Sequence, residues 1–283
     1  MGNHINNLVF FPPHRHHQQE EYENDIFIQS QTNKNNQVQI KTLILDESYK
    51  YLIISHGNAE DIYNVYDWVY NTLSKLCKIN FVMYEYTGYG FNNQNLTPSE
   101  SACYDDIETV YNYLTETLKI PPKKIIAFGR SVGNGPSCYL AEKYDIGGLI
   151  LNSGFLSVFR VVIKLRFTLP WDIFPNVDRI KNINCPVCII HSVKDEVVPF
   201  YHAKKMYMFA KNKFDPLFID GTSHNNIDIL SEDVYNHMNK FFMFLEEKDK
   251  ENINIDINNE DNNNEDNKNE ETLKQIKYKI IKN

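Results

Sequence analysis

Hydrophobic positions between residues 24 and 246 follow two alternating patterns. Short uninterrupted apolar runs are typical of strands buried on both faces of a sheet. Between them, apolar residues recur every three or four positions, as in helices. The runs predict strands over 26–30, 38–45, 51–55, 79–84, 124–128, 148–151, 187–191 and 217–219. The helical spacing predicts helices over 62–77, 99–118, 133–144, 201–210 and 231–245.

This alternation predicts an α/β fold. Strands that alternate with helices across short loops form a mainly parallel sheet with helices on both faces. About eight strands are expected, the first two forming an antiparallel hairpin. The alternation of strand and helix patterns stops between residues 152 and 186. The apolar-rich excursion there predicts a small lid over about 155–180. One amphipathic helix followed by a loop is a second interpretation of the same residues, compatible with the first.

The two ends of the chain differ from the central domain, which is predicted to span 24–246. Residues 1–23 form an arm, whose apolar segment 8–11 either packs on the domain or lies in a membrane interface. Residues 247–283 are rich in Asn, Asp and Glu and then in Lys, which predicts a disordered tail.

Composition narrows the class of protein. A length of 283 residues with 42% hydrophobic residues suits one domain of enzyme size. The net charge of −8 argues against nucleic acid as a partner, because phosphate binding needs a basic surface. No run of about 18 apolar residues occurs, so no membrane-spanning helix is expected. Membrane contact would then come from an anchor or a surface patch.

The cysteines and the clustered histidines do not predict a metal or redox site. Five cysteines, an odd number with no secretory signal ahead of them, argue against a disulfide framework and fit a reducing compartment. Cys185 and Cys188 have the spacing of a redox or zinc motif, but without a second pair they are interpreted as core thiols. The histidines within 14–17 are interpreted as part of a polar linker. We expect no metal and no organic cofactor.

The strongest chemical signal is a G-x-S-x-G motif over 129–133, placed between a predicted strand and a predicted helix. In this setting the turn is so tight that only glycine fits two residues before and two residues after the serine, whose hydroxyl is then exposed above the sheet. The motif predicts Ser131 as a nucleophile. A serine hydroxyl needs a general base, and the base needs an orienting acid.

Two later loops supply these partners in the chain order Ser, Asp, His. Asp195 follows the strand predicted over 187–191, and His224 follows the strand predicted over 217–219. Asp195 is therefore predicted as the acid and His224 as the base, with Glu196 as the alternative acid. Two other histidines are alternative bases: His191, on a strand, is expected to be buried and hydrogen-bonded, and His202, on a helix, is expected to be exposed.

An oxyanion hole requires two backbone N–H groups beside the nucleophile. Val132, directly after Ser131, is the first predicted donor. The loop after the strand over 51–55 supplies the second, assigned to Asn58 with Ala59 as second choice. His56 in the same loop is expected to be structural. Together these residues predict two-step acyl transfer through an acyl-enzyme.

Several motifs together are similar to one branch of the α/β-hydrolase superfamily, the α/β-hydrolase-domain-containing protein 17 family. They are Ser55-His-Gly-Asn-Ala59, Tyr86-Thr-Gly-Tyr-Gly90, Gly129-Arg-Ser-Val-Gly133, Phe174-Pro-Asn176, His191-Ser-Val-Lys-Asp195 and Gly221-Thr-Ser-His-Asn225. The resemblance runs from Leu8 to about Leu245. It implies the α/β-hydrolase fold and a membrane-associated enzyme that removes palmitoyl groups from protein cysteines. It also implies a cytoplasmic location, at the cytosolic face of the plasma membrane or endomembranes.

The chain departs from the family in its arm. The family's N-terminal cysteine cluster, itself acylated, is absent, because residues 1–23 contain no Cys. Gly2 is a candidate for N-myristoylation, although Asn6 stands where the usual signal has Ser or Thr. Asn226 stands where the family tends to have Asp.

The residues leave other functions open. The expected partners are S-acylated proteins or lipid esters. A monoacylglycerol or lysophospholipid lipase, or a general carboxylesterase, uses the same three residues and is the alternative. A non-catalytic receptor or scaffold on the same fold is a further alternative. The oligomeric state is not predicted.

Overall fold

An eight-stranded sheet forms the centre of the molecule. The computed structural model describes residues 9–13, 25–90, 96–163, 167, 171–226 and 232–251. The strand order is β1-β2-β4-β3-β5-β6-β7-β8. β1 and β2 pair antiparallel, β2 pairs antiparallel with β4, and every other pair is parallel. The strands are β1 Ile26–Gln29, β2 Gln37–Leu43, β3 Tyr51–Ser55, β4 Asn80–Tyr84, β5 Ile125–Arg130, β6 Gly148–Asn152, β7 Val187–Ser192 and β8 Leu217–Ile219.

Helices connect the parallel strands and one follows the last strand, as the sequence predicts. They are α1 Ile62–Trp68, α2 Glu100–Asn112, α3 Asn134–Lys143, α4 Val158–Val162, α5 Asn176–Arg179, α6 Tyr201–Phe209 and α7 over 232–251. α1 continues through a π-helical turn, Val69–Leu73, into Ser74–Leu76, and α2 continues through a π-helical turn, Tyr113–Thr117. Short 3₁₀ turns lie at Pro122–Lys124 and Ser131–Gly133. α2 begins where the sequence predicts it, because Ser99 Oγ accepts the backbone N–H of Ala102 at 3.1 Å.

The strand order creates a crevice at one edge of the sheet. β3 lies between β4 and β5, so the chain leaves β3 in one direction along the sheet and later returns on its other side. Open α/β sheets bind ligands outside the carboxyl ends of the strands at such a reversal. Ser55, the last residue of β3, is in register with Gly129 of β5. The loop after β3 and the turn after β5 therefore meet at this edge.

Among the residues that the structure describes, the excursion between β6 and β7 contains two short helices, α4 and α5, where the sequence suggested one amphipathic helix followed by a loop. Its side chains Phe155, Leu156 and Phe174 are buried. Val162 and Trp171 are among its exposed apolar side chains, at 65% and 63% exposure.

The chain forms two compact units, Met1–Asn239 and Lys240–Asn283. The first carries the sheet and, of the predicted arm, residues 9–13. Val9 and Phe10 there are buried, which agrees with packing on the domain. The second unit is helical as far as residue 251. Gly2, the histidines within 14–17 and the tail beyond residue 251 lie outside the described residues. In the described ranges no helix combines the length and apolar character needed to cross a bilayer.

Candidate active site

Ser131 lies at the tight turn between β5 and α3. Its φ is +50°, a left-handed conformation that side chains other than glycine rarely adopt. A Cβ on Gly129 would lie 2.6 Å from the carbonyl oxygen of Gly133, and one on Gly133 would lie 2.1 Å from that of Ser55. Neither position has room for a side chain. The glycine spacing in the sequence thus has the steric reason expected of it.

The structure brings the three predicted residues together in one hydrogen-bonded series. His224 Nε2 lies 3.0 Å from Ser131 Oγ, and His224 Nδ1 lies 2.8 Å from Asp195 Oδ2. Asp195 and His224 are 7% and 5% exposed, so water has little access to the contact between them. A serine, an imidazole and a carboxylate in this order have the geometry needed to deprotonate the hydroxyl and stabilise the resulting imidazolium.

The second oxygen of Asp195 fixes the carboxylate in place. Oδ1 accepts the backbone N–H groups of Val197 at 2.9 Å and Val198 at 2.7 Å. Burial acts to raise the pKa of Asp195, but the hydrogen bond and charge of His224 and the Val198 N–H bring that pKa below its ordinary value. Asp195 is therefore ionised at neutral pH.

Glu196, the alternative acid, occupies a different position. Its Oε2 accepts the backbone N–H of His224 at 3.2 Å. Glu196 thus supports the loop that carries His224, here called the histidine loop, while the imidazole ring contacts Asp195.

The two other histidines lie beneath the site. His191 is buried, as predicted, and its Nε2–H donates to the carbonyl oxygen of Val198 at 2.9 Å. His202 was predicted to be exposed, which is wrong: it is fully buried, and its Nδ1 accepts the backbone N–H of Leu156 at 3.1 Å. Burial lowers the pKa of His191, and it lowers the pKa of His202 to about 4. Both rings are therefore neutral at pH 7.

The loop after β3, which was predicted to supply the second backbone donor, lies beside Ser131. Glu60 Oε2 accepts the N–H of Gly57 at 2.7 Å. Asn58, the next residue, lines the same groove as Ser131 and Val132. Ala59, the second choice, has a φ of +55° and an exposed side chain.

His56 braces this loop. Its Nε2 lies 2.9 Å from Glu85 Oε1, its Nδ1 lies 2.8 Å from the carbonyl oxygen of Gly57, and its ring packs on Tyr86 with centroids 4.0 Å apart. Burial opposes a charge on His56, but the charge and hydrogen bond of Glu85 and the Gly57 carbonyl raise its pKa overall. The structure thus gives His56 the bracing position expected from the sequence.

Arg130, the variable residue before Ser131, connects three parts of the site. Its guanidinium pairs with Glu60, and its Nη2 donates to the carbonyl oxygen of Asn225 at 3.5 Å. Arg130 thus spans from the loop after β3 to the histidine loop. Sequence reasoning did not identify this role, because the motif leaves the position unspecified.

An apolar groove of about 210 Å³ opens at Ser131. Valine and phenylalanine side chains dominate its lining, which suits an alkyl chain better than a charged group. Besides Ser131, Val132 and Asn58, the lining consists of Val9, Phe11, Phe155, Val158, Val161, Val162, Val197 and Val198. The sequence did not predict that Val9 and Phe11 line the groove. Their apolar segment ahead of Pro12 and Pro13 was the one feature that pointed to a buried or binding role. Across the described residues, no group of three or more His, Cys, Asp and Glu side chains is placed to hold a metal ion.

Relatives of known sequence match about two thirds of this chain. The human alpha/beta hydrolase domain-containing protein 17B is 33% identical over 205 residues, which cover 72% of this chain and 70% of the relative. This chain belongs to the alpha/beta hydrolase domain-containing protein 17 family. No protein-family model matches it. The 17C member of Xenopus laevis is 35% identical over 182 residues, or 64% of this chain and 58% of that member. The chain therefore spans less than two thirds of the length of that family member.

Solved esterase structures share the fold of this chain. An esterase of Pyrococcus furiosus superposes with a TM-score of 0.63 over 83% of this chain and 97% of the esterase, at 15% identity. At that identity the similarity concerns the α/β-hydrolase fold alone. The predicted fold class is confirmed, and the chain is an α/β-hydrolase.

Proposed function

We propose that this family member is a serine hydrolase that cleaves long-chain acyl thioesters, with S-palmitoylated proteins as its substrate class. The observation that carries the proposal is the hydrogen-bonded series from Ser131 through His224 to Asp195. The apolar groove at Ser131 supports an alkyl-chain substrate. The choice of thioesters follows from the resemblance of its motifs to the depalmitoylase branch.

In the first half-reaction, Ser131 Oγ attacks the acyl carbon while His224 Nε2 takes the hydroxyl proton. The carbon–sulfur bond then breaks, and the leaving thiolate takes that proton from His224. This step yields a free thiol and an acyl ester on Ser131. Asp195 stays ionised and stabilises the imidazolium throughout.

In the second half-reaction, water replaces the thiol. His224 removes a proton from the water as its oxygen attacks the ester carbon, and the same proton returns to Ser131 Oγ when the ester bond breaks. The products are a fatty acid and the free enzyme. The backbone N–H groups of Val132 and Asn58 would stabilise the negative oxygen in both steps, each contributing on the order of 10²-fold or more in rate.

The substrate class also implies a location. A palmitoyl group attached to a protein lies in a bilayer unless it is bound, so an enzyme that removes it must reach the membrane surface. We propose peripheral contact at a cytosolic membrane face. Two exposed apolar side chains that line the groove, Phe11 and Val162, and the exposed Trp171 of the excursion support this location.

The test compares the full-length protein with Ser131→Ala on three substrates that carry the same acyl chain: a fluorogenic thioester, the matching oxygen ester and a monoacylglycerol. Turnover that favours the long-chain thioester in wild type and is lost in Ser131→Ala is the expected result. A preference for the monoacylglycerol, also lost in Ser131→Ala, would replace the proposal with a lipid hydrolase. Equal turnover by both proteins would contradict the role of Ser131.

A further inference from the structure

The arm segment, defined here as residues 9–11, forms one side of the groove at Ser131. Val9 and Phe11 both line the groove with Ser131. The two side chains differ in exposure, because Val9 is 8% exposed and Phe11 is 53% exposed. A half-exposed phenylalanine at the edge of an apolar groove presents its ring to whatever occupies that groove.

Polar contacts hold the backbone of the arm segment against the loop after β3. Asn58 Nδ2 donates to the carbonyl oxygen of Val9 at 2.7 Å, and Asn58 Oδ1 accepts the N–H of Phe11 at 2.9 Å. Tyr89 Oη lies 3.1 Å from the same N–H as an acceptor and donates to Asn58 Oδ1 at 2.6 Å. One amide side chain thus pairs with both ends of the arm segment, in the manner of a neighbouring strand.

Phe10 anchors the arm segment from the opposite side. Its buried ring packs edge-on against Phe174, with centroids 6.1 Å apart, and Phe174 in turn contacts Phe155 at 6.4 Å. Phe155 itself lines the groove. The arm segment is therefore fixed both to the loop after β3 and to the excursion between β6 and β7, which holds the backbone of Phe11 beside the groove.

We propose that Phe11 is a specificity-determining residue, whose ring forms part of the wall for long apolar acyl chains. This inference rests on the proposed function, because the acyl group carried by Ser131 is the groove's assigned occupant. Apolar burial strengthens binding by about fourfold for each methylene covered. A wall that covers two or three methylenes therefore favours a long chain over a short one by roughly 15- to 60-fold.

The test uses two alkyl fluorophosphonates, one with a short and one with a hexadecyl chain on phosphorus. Ser131 Oγ forms a bond to phosphorus, the phosphorus–fluorine bond breaks, fluoride leaves, and His224 takes the serine proton. The second-order labelling rate is measured for full-length wild type, Phe11→Ala and Phe11→Trp. Phe27→Ala, which truncates an exposed phenylalanine on edge strand β1, is the matched control.

Phe11→Ala is expected to lower the hexadecyl labelling rate by roughly 10-fold or more while the short-chain rate changes less than about twofold. Phe11→Trp, which keeps an apolar wall, should retain the long-chain preference, as should Phe27→Ala. Equal effects of Phe11→Ala on both probes, or no effect on either, would overturn the inference and leave the proposed function intact. Failure of wild type to react with either probe would instead contradict the proposed function, and the inference would fall with it.

Discussion

Asp195 Oδ2 lies 2.8 Å from Nδ1 of His224, while the other oxygen of the same carboxylate accepts two backbone N–H groups. The carboxylate thus orients the imidazole with one oxygen and holds the backbone of its own loop with the other. Asp195 was predicted as the acid of the site, with Glu196 as the alternative. The structure shows that one side chain makes both sets of contacts.

Asp195→Asn is expected to lower kcat by about 10⁴-fold, because an amide cannot stabilise the imidazolium or hold the same tautomer. The amide oxygen still accepts the N–H groups of Val197 and Val198, so the fold should be kept. Glu196→Gln, the matched control, should lower kcat less than about tenfold, because Gln retains an acceptor for the His224 N–H. Steady-state kinetics with one acyl substrate checks both. A larger loss in Glu196→Gln would transfer the role of acid to Glu196.

Gly133→Ala is expected to destabilise the fold severely, by roughly 3 kcal/mol or more, because its Cβ would meet the backbone of Ser55 at 2.1 Å. Gly154→Ala is the control, because the nearest atom to a Cβ at position 154 would be Asn134 Oδ1, at 3.1 Å. Gly154→Ala should lower the free energy of unfolding by about 1 kcal/mol or less. Urea unfolding measures both. Similar free energies of unfolding for the two variants would show that the turn after β5 has room to relax.

Stability should depend on pH through the buried His202. Its pKa is about 4 in the folded protein and about 6.5 when unfolded, so the unfolded chain binds more protons between these values. The free energy of unfolding should therefore fall as pH falls from 6.5 towards 4. His202→Gln retains an acceptor for the Leu156 N–H but does not titrate. Between pH 7 and 5 it should lose roughly 2 kcal/mol less stability than wild type.

Urea unfolding at the two pH values checks this prediction. Part of the wild-type pH dependence should persist in His202→Gln, because burial lowers the pKa of His191 in the same direction. Identical pH dependence in wild type and His202→Gln would mean that His202 does not titrate differently on folding.

The five cysteine thiols should be unreactive in the native protein. All five are free and buried, and burial raises the pKa of Cys77 and of Cys185 to about 12. Since the thiolate is the reactive form, Ellman's reagent should modify them slowly before unfolding and completely afterwards. Rapid modification of any thiol in the native state would contradict this burial. It would also require that thiol to be excluded as an acyl acceptor in thioester assays.

Local sequence signals were sufficient for the sheet and for the three residues at its edge. Apolar runs marked the strands, and Ser131, Asp195 and His224 each lie in the loop or turn that follows such a run. His202 was misplaced although a signal existed, because it shares one face of α6 with the buried Met206, four residues later. The contact between Asn58 and the arm segment joins residues 47 positions apart, and no periodicity encodes it. The same holds for the pairing of Arg130 with Glu60 and for the two helices of the excursion.

The central claim, that Ser131 carries the acyl group during turnover, is tested most directly by trapping that intermediate. The full-length protein is mixed with a palmitoyl thioester, quenched in acid within the first turnover, digested and analysed by peptide mass spectrometry. We predict one palmitoyl group on Ser131 in wild type and none in Ser131→Ala. Continued thioester turnover by Ser131→Ala, or a palmitoyl group on another residue that forms and decays at the rate of turnover, would contradict the account.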